Sequence, residues 1–385
     1  MHKVKGVTGH TTLRRTTTPV GDPAWLVTDY DLLRQLLTDR RLGRTHPDPA
    51  NAPRFSESWV LGRPQQSSPT EVAEHTRMRK LLSPWFGARP MARMRPRVQQ
   101  MVDGLLDDLA ARTPPVDFHE AVSFPLPALV ICELLGVPYA DRDQFRAWSQ
   151  DVGNMVDQDA STAAAAKLYE YLLGLVTARL TEPSDDVLTA LVTEHRADPD
   201  GFPLHGAAVM GMGLLFAGHE TTVTAIDNGI VQLSTHPDQR DALLADPDLV
   251  DGAVEEILRS RMRPPTEAVP DFGVPRWANA DIEVGEVTIR AGELVLLGLH
   301  QANSSQRMVG DDTGFDVRRQ PNPHIAFGHG LHFCVGAPLA RVELQVLFAT
   351  LLRRFPQIRL AVPADQLRHR IELLTGGVAE LPVTW

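Results

Sequence analysis

A single cysteine near the C-terminus stands in a glycine-rich run, Phe327-Gly-His-Gly-Leu-His-Phe-Cys334-Val-Gly336. Glycine accepts backbone angles that other residues resist and lets the chain approach a partner closely. Such a loop can present one sulfur while backbone N–H groups surround it. Those donors, together with the N-terminus of a following helix, are expected to hold a thiolate and lower its pKa. A thiolate held in this way is a nucleophile or a metal ligand. No neighbouring residue reads as the base that a protease-type nucleophile needs. The only other cysteine, Cys132, is far away in sequence, which argues against a Zn or Fe–S site. One thiolate on one metal in an apolar surround suggests haem. The competing reading is a buried structural cysteine, common for free Cys, but it leaves the glycine spacing unexplained.

The stretch resembles the cytochrome P450 signature Phe-Gly-x-Gly-x-His/Arg-x-Cys-x-Gly at Phe327, Gly328, Gly330, His332, Cys334 and Gly336. Thiolate-ligated haem is that family's defining feature, so the link comes with the resemblance. It implies a mainly α fold with small β-sheets and a long central helix crossing the haem. It also implies haem b as cofactor, with Cys334 as the axial metal ligand.

A second stretch runs over Leu204–Thr235 and would form a helix roughly 48 Å long. At its centre an apolar run is broken by Ala217-Gly-His-Glu220-Thr221-Thr222. Burying an acid and two threonines costs free energy unless they find partners. Gly and Thr also weaken the helix locally. Such a compromise is expected at a functional site. Taken alone, an ordinary bent helix explains it better. The stretch is similar to the P450 oxygen-activation motif, Ala-Gly-x-Asp/Glu-Thr. Carried over, Glu220 and Thr221 would deliver protons during dioxygen activation, with His219 a weaker candidate.

The elements that must position these residues follow from the rest of the chain. Residues 24–44 read as a short strand and a first helix with a Thr28-Asp29 start. Residues 48–70 are irregular, with Phe55, Trp59, Val60 and Leu61 among prolines and polar residues. Those apolar side chains either face a ligand or pin the loop; by resemblance the loop covers the substrate pocket. His75 and Arg79 lie four apart and share a helix face suited to a carboxylate. A solvated basic face is the plainer reading. In the family this His-x-x-x-Arg pair holds a haem propionate, and Arg276 and His324 match further propionate-binding positions. Helices are expected over 91–112, 126–136, 140–156, 160–181 and 185–196, and short strands over 264–300. Glu256 and Arg259 form a Glu-x-x-Arg pair that in P450s belongs to a buried structural network, with Arg319 its expected third member. The family's usual Ala-Asn-Arg-Asp-Pro is replaced here by Ala302-Asn-Ser-Ser-Gln306. A helix beginning at Ala337 follows the cysteine, and Ile371–Trp385 reads as a turn between strands.

Composition bounds the rest. The 385 residues are 43% hydrophobic, with a formal net charge of −10. No linker divides them, so one domain over 1–385 is expected. The acidic balance argues against nucleic acid as partner. The absence of a ~20-residue apolar run and of a signal peptide leads to an expectation of no membrane anchor and a cytoplasmic location. Two cysteines do not make a disulfide framework; Cys132 is expected in the core.

By resemblance the chain is a haem-thiolate monooxygenase that hydroxylates or epoxidises a small apolar substrate, in specialised metabolism, using dioxygen. Electrons would come from a ferredoxin or flavodoxin-like partner with its reductase, docked against basic residues such as Arg77, Lys80 and Arg341. Oxidative coupling or ring formation without oxygen insertion is the alternative. A peroxygenase, or a non-catalytic haem sensor, is the more distant one.

Overall fold

A computed structural model describes residues 13–67, 71–260, 273–310 and 314–385. The helices in chain order are α1 Tyr30–Thr38, α2 Glu71–Phe86, α3 Ala88–Ala110, α4 Pro125–Leu135, α5 Arg142–Val152, α6 Gln158–Ala178 and α7 Val187–Ala197. They continue with α8 Leu204–Thr235, α9 Pro237–Ala245, α10 Val250–Arg259, the short α11 Leu299–Asn303 and α12 Gln306–Val309, and α13 Ala337–Arg354. The expected mainly helical fold with small sheets is what the structure shows. No described helix is long and apolar enough to cross a membrane.

Helix α8 is the axis of the helical core and spans the whole Leu204–Thr235 stretch. Pro203 precedes it and Pro237 opens α9, so proline punctuates both ends. Its two close approaches are made at glycines. A Cβ on Gly218 would stand 2.8 Å from Ile131 Cδ1 of α4, and one on Gly229 would stand 2.2 Å from the Phe348 ring of α13. Glycine there trades helix propensity for backbone contact with both neighbours.

The smaller region is a five-stranded sheet in the order 13–17, 23–27, 294–297, 274–278, 42–43. Strand Leu13–Thr17, antiparallel to Pro23–Val27, adds a hairpin not foreseen from the sequence. Its polar residues give no alternating signal strong enough to mark a strand. Helix α1 starts where Asp29 accepts the Leu32 N–H at 2.8 Å, an ordinary N-cap. Arg276 pairs with Val295 across the sheet. Directly opposed residues share a sheet face, so Arg276 is on the side where Val295, Leu297 and α1 pack together with Ile325. That places it toward the segment leading into the cysteine loop.

Other expectations are refined. Of the expected strands over 264–300, residues 261–272 lie outside the described residues. Phe55 is buried against Trp277, Leu294 and Leu296 and pins its loop, whereas Trp59 is about half exposed. Cys132 is buried, and burial pushes its thiol up to about 12. The C-terminal turn is flanked by an isolated bridge, His369 to Val378, and not by two full strands. Gly376 and Gly377, at φ of 62° and 94°, tighten the chain before regular pairing can extend. Only Pro382–Thr384 forms a strand there.

Candidate active site

The cysteine loop is set by two left-handed glycines, Gly328 at φ 75° and Gly330 at φ 71°. A Cβ on Gly330 would come within 2.9 Å of Leu37 O and of Thr38 Cγ2, so α1 closes directly onto the loop. The Cys334 N–H donates to Phe327 O at 2.9 Å, which closes the loop on itself. The Phe327 ring lies under the Arg341 guanidinium, 4.7 Å from its centroid. Helix α13 follows at once, with Gly336 as its N-cap and Pro338 in its first turn.

The Cys334 sulfur accepts from the backbone N–H groups of Gly336 and Ala337. Those donors stand at the start of the helix that begins at Ala337, as the loop-then-helix sequence leads one to expect. The expected lowering of the thiol pKa is not found. Burial raises the thiol more than those two donors and the charges of Arg79 and Arg341 lower it. The residue still has exposed surface. The sulfur is crowded from below and reachable from one side, the arrangement a metal ligand needs. A bound cation reverses this balance and deprotonates a coordinating thiol outright. Among the described residues no cluster of three or more His, Cys, Asp or Glu could hold a metal ion, so Cys334 stands as a lone ligand.

A second set of residues converges beside the loop. His75 of α2 and His332 meet edge to face with ring centroids 4.4 Å apart. Arg79, one turn beyond His75, donates to Phe333 O at 2.8 Å. Burial and then the charges of Arg44, Arg276, His75 and Arg79 push His332 down to about 3. Its Nδ1 is buried with no hydrogen-bond partner among the described residues. Cations gathered around a neutral His332 whose Nδ1 has no partner among the described residues are set up for an anion. Two carboxylates on an apolar macrocycle fit that set, with the open thiol below. The residues present therefore fit a haem. Arg44 was missed in the sequence. It reaches the group only because Leu42–Gly43 pairs with the 274–278 strand, and nothing local to Arg44 signals that.

His324 is engaged elsewhere. Its Nε2 contacts Glu255 Oε2 at 3.0 Å, and Arg341 holds the same carboxylate at 2.7 and 2.8 Å. Burial alone would raise Glu255, but those hydrogen bonds bring it down to about 2. His324 is thus joined to the Glu255–Arg341 network behind the loop.

On α8, Glu220 is buried and Thr221 is exposed on the turn beside it. The Thr221 hydroxyl donates to Ala217 O at 2.8 Å, the i−4 back-bond that loosens a helix. His219 Nε2 lies 3.3 Å from Phe124 O, to which it donates. Burial pushes His219 down to about 3, so its Nδ1 carries a lone pair. Glu220 Oε1 faces that lone pair at 3.5 Å. Only a protonated carboxyl can donate to it. Burial raises Glu220 above its ordinary value, against the charges of Arg370, His119 and Arg146. Burial therefore favours the protonated form of Glu220 more than water would.

The structural network came out as expected. Arg259 pairs with Glu256 through two contacts of 2.7 Å, and Arg319 joins at 3.3 Å. Two of the basic residues expected to dock a partner are spent internally: Arg77 on Glu194 and Asp198, and Arg341 on Glu255.

Comparison with known proteins agrees with this geometry. The family profile described as cytochrome P450 matches residues 175–359. Pentalenolactone synthase of Streptomyces exfoliatus is 40% identical over 373 residues, covering 95% of this chain and 91% of the relative. Mycinamicin IV hydroxylase/epoxidase of Micromonospora griseorubida is 41% identical over 373 residues, with 95% and 91% covered. The crystal structure of PimD, a pimaricin epoxidase, superposes with a TM-score of 0.83 at 38% identity, covering 97% of this chain and 93% of that one. The chain belongs to the cytochrome P450 family and is a monooxygenase of that family.

Proposed function

We propose that this enzyme holds haem b on Cys334 and inserts one oxygen atom of dioxygen into a small, largely apolar substrate by hydroxylation or epoxidation. The observation that carries the reading is the crowded, one-sided Cys334 sulfur beside the His75–Arg79–Arg276–His332 group. When bound there, haem supplies the oxygen-activating chemistry, with the thiolate donating electron density that favours O–O cleavage.

The chain's own residues do the remainder. Cys334 would hold the haem through its sulfur, steadied by the N–H groups of Gly336 and Ala337. Arg79, Arg276, His75 and His332, joined by Arg44, receive the propionates. Phe327 and Gly328 shape the loop that brings the sulfur to its place. Glu220, whose carboxyl pKa burial raises, keeps a proton available, and Thr221 presents its hydroxyl lone pairs on the exposed side of the same turn. The relatives' names support a substrate from specialised metabolism.

An acidic ferredoxin or flavodoxin-like protein with its reductase supplies the electrons. Helix α3 offers Arg89 and Arg93 on its exposed face, beside the exposed Lys80. Against a net charge of −10 this local basic stripe suits such a partner better than the paired Arg77 and Arg341.

The test is turnover with a ferredoxin and reductase under ¹⁸O₂, using candidate substrates that shift the haem spectrum. One labelled oxygen in the product is expected. A coupled or ring-closed product without label would replace oxygen insertion by oxidative coupling.

A further inference from the structure

A line of polar groups runs along one side of α8. Glu220, Thr224 and Asp227 stand at i, i+4 and i+7 and so share one helix face. The first and last are about 10 Å apart along the axis, too far to bond directly. Thr224 Oγ1 donates to the Glu220 carbonyl at 3.1 Å, which leaves its lone pairs available. A Cβ on Gly377 would lie 3.5 Å from that hydroxyl, so the C-terminal turn packs against the middle of the line.

At the outer end Asp227 Oδ2 and His119 Nδ1 are 2.8 Å apart, and both residues are buried, at 2% and 1% exposure. His119 Nε2 lies 3.1 Å from Arg370 Nη2. Arginine can only donate, so Nε2 holds the lone pair and Nδ1 the proton that Asp227 accepts. The other groups around His119 are Asp117, whose carboxylate accepts its backbone N–H at 3.0 Å, and the Glu120–Arg146 pair. Glu120 is exposed.

This arrangement leaves a conspicuous set of orphans. Glu220 Oε1, His219 Nδ1, Asp227 Oδ1, Arg370 Nε and Ser123 Oγ are all buried with no hydrogen-bond partner among the described residues. Native chains leave few such atoms, and polar groups spaced this way are the kind that ordered water joins.

We propose that the face Glu220–Thr224–Asp227 lines a file of water that carries protons to Glu220, with Asp227 as its outer acceptor and His119 and Arg370 as the residues that position Asp227. The proposal rests on the reading of Glu220 as the site's proton donor. A proton enters from solvent beside Arg370 and Glu120. It passes along the water past Asp227 Oδ1 and Thr224 Oγ1 and replaces the one Glu220 gives up. One proton enters for each that leaves, and only O–H bonds are made and broken.

The experiment compares haem-loaded wild type with Asp227→Asn, His119→Gln, Thr224→Val and Glu220→Gln. The infrared C=O band of the Glu220 acid, isolated by subtracting the Glu220→Gln spectrum, is followed after transfer to D₂O. Asp227→Asn and His119→Gln are expected to slow its exchange at least tenfold. They should also enlarge the solvent isotope effect on turnover and divert reducing equivalents to peroxide, while substrate-induced spectral titration stays within twofold of wild type. Asp227→Asn preserves shape, so it answers even if His119→Gln fails to fold. Unchanged exchange and isotope effect in folded Asp227→Asn, with Glu220→Gln impaired, would overturn the water file alone. Full turnover in Glu220→Gln would overturn the donor reading, and the file with it.

Discussion

Glu256 and Glu220 are buried to nearly the same degree, at 0% and 5% exposure, and they lead opposite lives. Glu256 accepts from Arg259 twice, from Arg319, from the Asp316 N–H and from Asn322. Arg259 in turn donates to Asn303 O at 3.0 Å and Gly314 O at 3.2 Å. Every oxygen of that carboxylate is satisfied, and the network ties α10 to the segment ahead of the cysteine loop. Glu220 has an oxygen with no hydrogen-bond partner among the described residues and a lone pair of His219 in front of it. A fully partnered buried acid such as Glu256 is held in place by its donors and serves the fold. An under-partnered one can change its charge state, and that is what proton chemistry requires.

The contrast can be broken or sharpened by substitution. The largest effect is expected at Glu256→Ala, which strands Arg259 and Arg319 without their counter-charge. Removing one partner of a buried pair costs about 3–5 kcal/mol, measurable by urea unfolding of the haem-loaded protein. Glu220→Gln should leave folding intact yet reduce product formation about a hundredfold, within the range typical of general acid catalysis. Its stability should also move the other way. Glu220's folded pKa is raised above 4.5. The group's contribution to stability is therefore fully present below 4.5 and is lost as pH rises through the folded value. Glu220→Gln should melt higher than wild type at neutral pH, with the gain fading toward pH 4.5; a gain independent of pH would contradict the raised carboxyl. Arg319→Ala removes only one of several donors and should cost about 1.5–3 kcal/mol. Glu380→Ala breaks a pair with Arg368 whose side chains are both mostly exposed, and its melting temperature should match wild type within error.

Much of this was legible in the sequence, for physical reasons that differ between the two regions. The cysteine loop is local: two left-handed glycines and a helix start within ten residues carry their own signal. The Glu256–Arg259 pair is three residues long, and α8 is a single apolar run between prolines. The surroundings of Glu220 are assembled otherwise. His119 meets Asp227 across 108 residues, and Arg370 meets His119 across 251. No periodicity carries such contacts. The one local sign was a second acid, Asp227, seven residues after Glu220 in an otherwise apolar helix. Arg44 was missed for the same reason, since it takes its place from a strand pair distant in the chain.

The central claim is that Cys334 is the axial thiolate of a haem. The most direct measurement is the absorption spectrum of the dithionite-reduced, CO-bound protein beside that of Cys334→Ala. A strongly red-shifted Soret band in wild type, lost in the variant, is the predicted result. A protein that takes up no haem, or a band that survives the substitution, would contradict the assignment and the mechanism built on it.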